Sequence, residues 1–515
     1  MYELSRRTFL KLLGQGTAAL GLGMGISGRA WAAQSQGIAD PRFEVPDWNE
    51  WEFYYPGKYS PQDETALKQK KADFALINNR GNVDIDELIS GKLDGRPGIR
   101  MATITRDAME QNAVSFGAKN PMWLDTSYAK RTRWGAMAMP FTIGDQIGVP
   151  NMTQIGLDDY MVVSNYNISA SYYKPVYEGD IVYTVTERSD FKDITPEQGS
   201  YYRTFAVFGW GSFYNQKGEL VGEGAGIRTE SFRRHKDPAM RKPAGTGYVW
   251  ESPNWWTRPT HIYTDADWEE IKDIWKNEKI RGSGILYWDD VNIGDEPSPM
   301  AVGPVLADEG AGFMLGLRTP VPQWSVDTKL SMLDPKTLSK MVKNKWGIYI
   351  LPENLERWNK VHDAGETIGD GLYKSDGRAT VLNAVCPKTV AGMIYNWMGD
   401  DGWLQRIAWD FMDFPPGFTD GVNYKKDPTV IPNIPRDLMP DLFDKFPYLE
   451  KVPFMRGKRS TWHPMEGDLI ICRACVTDKY RQGNEYFADL VYWCETFDKY
   501  LVEEGFVTVK LPKKA

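Results

Sequence analysis

The sequence predicts an α+β fold built twice. Three observations predict it. A helical stretch is followed by long β-rich runs punctuated by Gly-Asp turns, and this order recurs in the C-terminal half. Matching turns, Glu178-Gly179-Asp180-Ile181 and Glu466-Gly467-Asp468-Leu469, stand about 290 residues apart. The β-rich runs are close enough in sequence to be joined by tight turns, which favours antiparallel pairing.

The chain of 515 residues opens with an export segment. Ser5-Arg6-Arg7-Thr8-Phe9-Leu10-Lys11 carries two consecutive arginines, an apolar pair and a lysine, the charged start of a twin-arginine signal. A glycine-rich, weakly apolar stretch runs from Leu12 to Ile26, and Ala30-Trp31-Ala32 supplies a small-x-small cleavage pattern. The apolar stretch is shorter than the roughly 20 residues a span requires, so cleavage near Ala32 is expected, with no permanent membrane span afterwards. An uncleaved anchor and an amphipathic N-terminal helix of the mature fold are the other readings. The mature protein is expected to be soluble and periplasmic or extracellular.

Residues 33–99 form an N-terminal arm and helical extension. Its first part, 33–61, is rich in Pro, Trp, Tyr and acids and reads as an extended arm, and Glu64 to Leu93 is largely helical in pattern. The first repeat occupies 100–235. Thr105 caps a helix from Arg106 to about Phe116, and Ser127-Tyr128-Ala129-Lys130 follows the Asn120-Pro121 turn. Four β-rich runs come next: Met161 to Ser171, Asp180 to Phe191, Ser200 to Tyr214 and Leu220 to Phe232.

Residues 236–285 read as a linker, Pro-, Trp- and Thr-rich over 236–270 with no periodicity. The second repeat, 286–515, opens at Tyr287-Trp288-Asp289-Asp290. Helical patterns occupy Pro335 to Asn344 and Thr389 to Asp410, and strands occupy Gly467 to Asp478, Glu485 to Thr496 and Gly505 to Leu511.

Composition excludes several functions. The net charge of −8 argues against a nucleic-acid partner. No Walker loop, His-Glu-x-x-His or haem-attachment motif occurs, so no cofactor is expected. Aromatic residues at 13% imply filled cores or aromatic-lined pockets. Cys472 and Cys475 share one strand at a spacing that points them to opposite faces, which makes a poor metal clip. With Cys386 and Cys494 they read as small core residues with one disulfide allowed, and no metal is expected.

Several segments resemble the MaoC-like dehydratase / (R)-specific enoyl-CoA hydratase family. In the first half they are Ile104-Thr105-Arg106-Asp107, Asn120-Pro121-Met122-Trp123-Leu124-Asp125, Tyr128-Ala129, Thr132-Arg133-Trp134-Gly135 and Lys174-Pro175-Val176-Tyr177-Glu178-Gly179-Asp180. In the second half they are Trp288-Asp289-Asp290-Val291, Gly303-Pro304-Val305, Asn396-Trp397-Met398-Gly399-Asp400-Asp401-Gly402 and Gly467-Asp468. The resemblance implies a double hotdog, two long helices each wrapped by a curved antiparallel sheet. It also implies a hydro-lyase that hydrates enoyl thioesters or dehydrates 3-hydroxyacyl thioesters. The family's acid-base pair is an Asp and a His five residues later, in Gly-Asp-x-Asn-Pro-x-His.

This chain departs from that pattern. In Gly117-Ala118-Lys119-Asn120-Pro121-Met122-Trp123 an alanine stands at the Asp position and a tryptophan at the His position, and neither moves a proton. The chemistry then falls to the second half, where Lys360-Val361-His362-Asp363 resembles the Val-His-x-Asp portion of relatives. His362, Asp363 and Glu356 are the catalytic candidates. A solvated histidine in a charged run is the plainer reading of the same residues. The acidic pair Asp400-Asp401 reads first as turn and capping chemistry, and a buried polar role is the alternative. The expected partners are a small acyl or aromatic ligand, the twin-arginine translocase during export and, as one assembly, a homodimer. The competing functions are a non-catalytic hotdog protein that binds an apolar or aromatic ligand, and a structural subunit of an exported complex.

Overall fold

A computed structural model describes residues 53–54, 61–79, 81–115, 120–138, 155, 159–193, 203–235, 248–250, 260–305, 334–353, 355–356, 359, 374–375, 378–379, 385–412, 440–448 and 464–514. The segment read as an export signal, Ala118, His362 and Asp363 lie outside them.

In the first half, β1 (Phe53–Tyr54) is followed by α1 (Pro61–Ile77), α2 (Ile85–Ile89), β2 (Ile99–Thr103), α3 (Arg106–Ser115) and α4 (Thr126–Ala129). Then come the long strands β3 (Asp159–Tyr172), β4 (Ile181–Asp193), β5 (Arg203–Asn215) and β6 (Leu220–His235), and the short β7 (Tyr248–Trp250). The four long strands fall where alternation and turns place them. The β5–β6 turn closes at Gly218, whose φ of +72° suits glycine. β1 pairs with the end of β6 through Phe53 and His235, so this part of the expected arm adds to the sheet.

The second half contains α5 (Asp265–Lys276), β8 (Met300–Val302), α6 (Pro335–Leu338), the pair β9 (Val342–Lys343) and β10 (Tyr349–Ile350), and the pair β11 (Lys374–Ser375) and β12 (Arg378–Ala379). α7 (Val385–Met398), β13 (Trp403–Met412), α8 (Pro440–Lys445), β14 (Ile470–Gln482), β15 (Glu485–Thr496) and β16 (Leu501–Lys510) complete it.

The main sheet runs β2-β4-β5-β6-β3-β13-β16-β15-β14-β8, with β1 on β6 and β7 on β3. Its centre is the seam between the halves, where β3 and β13 pair antiparallel from Ser171–Arg406 to Asn165–Met412. Side chains reinforce the seam: Trp403 Nε1 donates to Tyr172 O at 2.9 Å, and Arg406 Nε to Ser171 Oγ at 3.2 Å. α7 lies against β8, β13 and β14. Its Val390, Ala391, Met393, Ile394, Tyr395 and Met398 are buried in a core that also takes in Phe74, Met109, Val182 and Phe213 of the first half. Two halves of one sheet, antiparallel in every described pairing but β3–β7, with the largely buried α7 packed on the second half, make the double hotdog. Among the described residues no helix is long and apolar enough to cross a membrane.

Three expectations are corrected. The stretch read as a linker contains α5, whose Thr264 and Asp267 form a capping box and whose Trp268, Ile271 and Trp275 are buried on one face. That face covers the outside of the second-half sheet, against Ala301, Leu469 and Ile471. The helical pattern read to Asp410 stops at Met398: Gly399 turns the chain at φ +74°, and Trp403 onward is a strand. The pattern from Pro335 to Asn344 is helical only to Leu338 and continues as β9.

Candidate functional site

The family-like segment of the first half, Asn120 to Trp134, meets the end of α7 in the second. Asn120 is fully buried and caps a single 3-10 turn over Pro121–Trp123, its Oδ1 accepting from Met122 N at 2.9 Å. This turn points Trp123 inward, where it is 1% exposed and meets Tyr395 of α7 edge to face at 4.9 Å. The indole therefore fills the position at which the resemblance would place an acid-base histidine. Asp125 then caps α4, accepting from Ser127 N at 2.8 Å and Tyr128 N at 3.1 Å.

Asp400 receives this segment. It is 3% exposed and sits in the turn after α7. Tyr128 Oη donates to its Oδ2 at 2.6 Å, and Trp134 Nε1 donates to its carbonyl oxygen at 2.8 Å. The Asn120 amide approaches the same carboxyl but stops short of a full hydrogen bond, so Asn120 Nδ2 and Asp400 Oδ1 are both buried and unsatisfied. Burial raises the Asp400 carboxyl above the ordinary carboxylate range; Tyr128 and Asn120 oppose the rise and Asp401 adds to it. Burial first, and Asp400 second, hold the Tyr128 hydroxyl above its usual value, which keeps it a donor.

The turn itself has little freedom. Asp400 N donates to Gly282 O at 2.9 Å, and a Cβ on Gly399 would stand 2.5 Å from Gly284 O. Arg133 stacks over Trp134 at 4.1 Å and reaches Asp401 at 3.8 Å. Beside them opens a cavity of about 330 Å³ lined by Arg133, Asp401, Asn484, Tyr486, Lys510 and Lys513. Asp400 Oδ1 has almost no exposed surface, so the carboxyl acts as a clasp between the halves. A larger cavity, about 650 Å³, lies over β4, β5 and β6, with Glu187, Arg188, Trp210, Tyr214, Glu223 and Lys445 on its walls.

The structure places the three catalytic candidates unevenly. Glu356 is exposed on a short helical stretch, and His362 and Asp363 lie outside the described residues. His261 stands before α5 with Nε2 at 3.3 Å from Asp267 Oδ2. Sequence reasoning put the clasp second for Asp400. Only the tertiary fold brings Tyr128 and Asn120 to it, across a separation of some 270 residues.

Residues 98–223 match the family model of a FAS1-like dehydratase domain region. The match falls on the first repeat and leaves the second untouched. No curated protein matches the chain. Among solved structures, a MaoC domain protein from Chloroflexus aurantiacus, named as a dehydratase, is 13% identical. The alignment covers 81% of this chain and 94% of that one, at a TM-score of 0.38. A Mycobacterium tuberculosis protein described as having a double hotdog fold is 8% identical over 80% of this chain and 94% of its own, at 0.37. A MaoC-like dehydratase from Phytophthora capsici is 8% identical over 84% and 100%, at 0.33.

Proposed function

We propose that this chain is a hydratase/dehydratase-type lyase, adding or removing water at an enoyl or 3-hydroxyacyl substrate, whose first half is a scaffold and whose second half carries the acid-base groups. The match of residues 98–223 to a dehydratase domain region supports the class. The observation that carries the division of labour is Trp123, which is buried against Tyr395 where a proton-transferring side chain would be needed. In the second half, His362 takes the proton of the attacking water and returns one to the neighbouring carbon, with Asp363 or Glu356 orienting the ring. On the same reading the twin-arginine segment carries the folded chain across a membrane. That export argues for an acyl carrier other than cytoplasmic coenzyme A.

The test is water addition by the mature protein to a panel of enoyl coenzyme A thioesters and short synthetic enoyl thioesters. Turnover that falls by about 10²- to 10⁴-fold in His362→Ala is expected. No turnover of any panel member by the parent protein overturns the proposal.

A second reading, a hotdog protein that binds a ligand without transforming it, is favoured by the 650 Å³ cavity with Trp210 and Tyr214 on its wall. Native mass spectrometry decides it. A small molecule that co-purifies with the chain and leaves in Trp210→Ala supports binding, and an empty protein removes the reading.

A further inference from the structure

Three of the four cysteines, far apart in sequence, meet on the inner side of the second-half sheet. Cys386 lies in the first turn of α7, and Cys472 on β14 stands directly opposite Cys494 on β15. All three are fully buried. Sγ of Cys472 and Sγ of Cys494 are 3.3 Å apart. Sγ of Cys386, Sγ of Cys494 and a carboxylate oxygen of Glu503, on β16, lie within 4.8 Å of one another. Glu503 is also fully buried, and Tyr492 Oη donates to its Oε1 at 2.8 Å.

We propose that Cys386, Cys494 and Glu503 hold a thiophilic divalent cation, Zn²⁺ by the chemistry of its donors, with Cys472 turning in from beside Cys494 as the fourth ligand. Tetrahedral zinc holds sulfur at about 2.3 Å and carboxylate oxygen at about 2.1 Å, which sets ligand-to-ligand distances of roughly 3.5–3.8 Å. Cys386, Cys494 and Glu503 already stand within 4.8 Å of one another, so an inward shift of about one ångström brings these three to bonding distance of one ion. Its parts match what a metal centre requires. The Tyr492 hydroxyl orients the carboxylate as an outer-shell partner.

Burial pushes the Cys386 thiol up to about 12 and the Cys494 thiol well above its ordinary value. Metal binding to thiols releases protons to solvent, so occupancy falls with acid. Cys475, on the same strand as Cys472, faces the other way into a cluster with Val491, Trp493 and Leu501 and supplies an internal control.

The rival arrangement is a disulfide between Cys472 and Cys494, which would release two protons and two electrons to an oxidant and leave Cys386 and Glu503 without a shared role.

The experiment loads the purified full-length chain with Zn²⁺, removes excess by gel filtration and measures metal by mass spectrometry. Co²⁺ loading is followed by its thiolate charge-transfer and tetrahedral ligand-field bands. One tightly held metal per chain is expected, retained in Cys475→Ser and lost at least 10-fold in affinity in Cys494→Ser and in the near-isosteric Glu503→Gln. The Co²⁺ spectrum of the parent protein stands independently of any variant that fails to fold. A parent chain that retains no metal, a Co²⁺ spectrum without thiolate bands, or a Cys472–Cys494 disulfide in peptide maps of the loaded protein overturns the proposal. Because none of these readouts involves turnover, the result is separate from the fate of the lyase reading.

Discussion

Trp123 and Asp400 do unlike work within one contact region. Trp123 is packing: its indole fills the space beside Tyr395, and a smaller polar ring there would leave a void and a buried polar group. Trp123→His should therefore lower stability by about 3 kcal/mol, read from the denaturant midpoint, and should create no hydratase activity. A stable Trp123→His protein whose turnover exceeds the parent's would contradict the scaffold role of the first half. Asp400 is electrostatic. Its folded carboxyl titrates above its ordinary value of 3.8 because burial disfavours the charge. The folded state thus binds more protons than the unfolded one between the two values. The carboxyl's contribution to stability is complete below about 4 and is lost as pH rises through the raised folded value. Asp400→Asn should remove that part of the pH profile in unfolding measurements from pH 3 to 7, and superimposable profiles would exclude the buried-acid account. The sequence made Trp123 legible as a substitution at a motif position. It left Asp400 ambiguous, because a Gly-Asp-Asp-Gly turn looks the same whether or not a tyrosine from the other half reaches it.

The elements read best from sequence are β3 to β6 and β14 to β16, where alternating side chains and Gly turns agree. The errors have a common cause: aromatic and apolar residues serve helix and strand alike. Trp403, Leu404, Ile407, Ala408 and Trp409 extend the apolar character of α7, and only the positive φ of Gly399 separates them as β13. In α5 the cue was present, with Thr264 and Asp267 at capping spacing and Trp268, Ile271 and Trp275 at helical spacing, but Pro-rich neighbours obscured it. The convergence of Cys386 with Cys472 and Cys494 had no cue, since no local pattern reports which strand will lie under which helix turn. β13 is the element on which most depends, being hydrogen-bonded on both edges, with Ala408 opposite Ser169 on β3 and Phe506 on β16. A proline there removes a ladder donor in the middle of the sheet, at a cost of about 3 kcal/mol or more. Ala408→Pro should yield insoluble or unfolded protein, measured by circular dichroism and soluble yield; a folded, soluble variant would show that the seam is not central.

At the scale of the whole molecule, the two repeats share their largest core as well as their sheet. Phe74, Met109 and Val182 of the first half belong to the same buried cluster as Met393, Tyr492 and Val507 of the second. On the outer face α8 and the residues after it, through Leu442, Phe443, Phe446 and Tyr448, lie across both Phe208 of β5 and Ala408 of β13. Neither repeat keeps a complete hydrophobic face without the other. Scanning calorimetry should therefore show one cooperative transition for both halves, and two resolved transitions would count against this coupling.

The β3–β13 seam also bears on how such a chain changes over generations. Once one repeat supplies the neighbouring strand of the other, its strands are held by that pairing whatever its loops carry. Selection on the second repeat alone is then enough to preserve the first as architecture, with an alanine and a tryptophan standing where the resembling family carries an acid and a base.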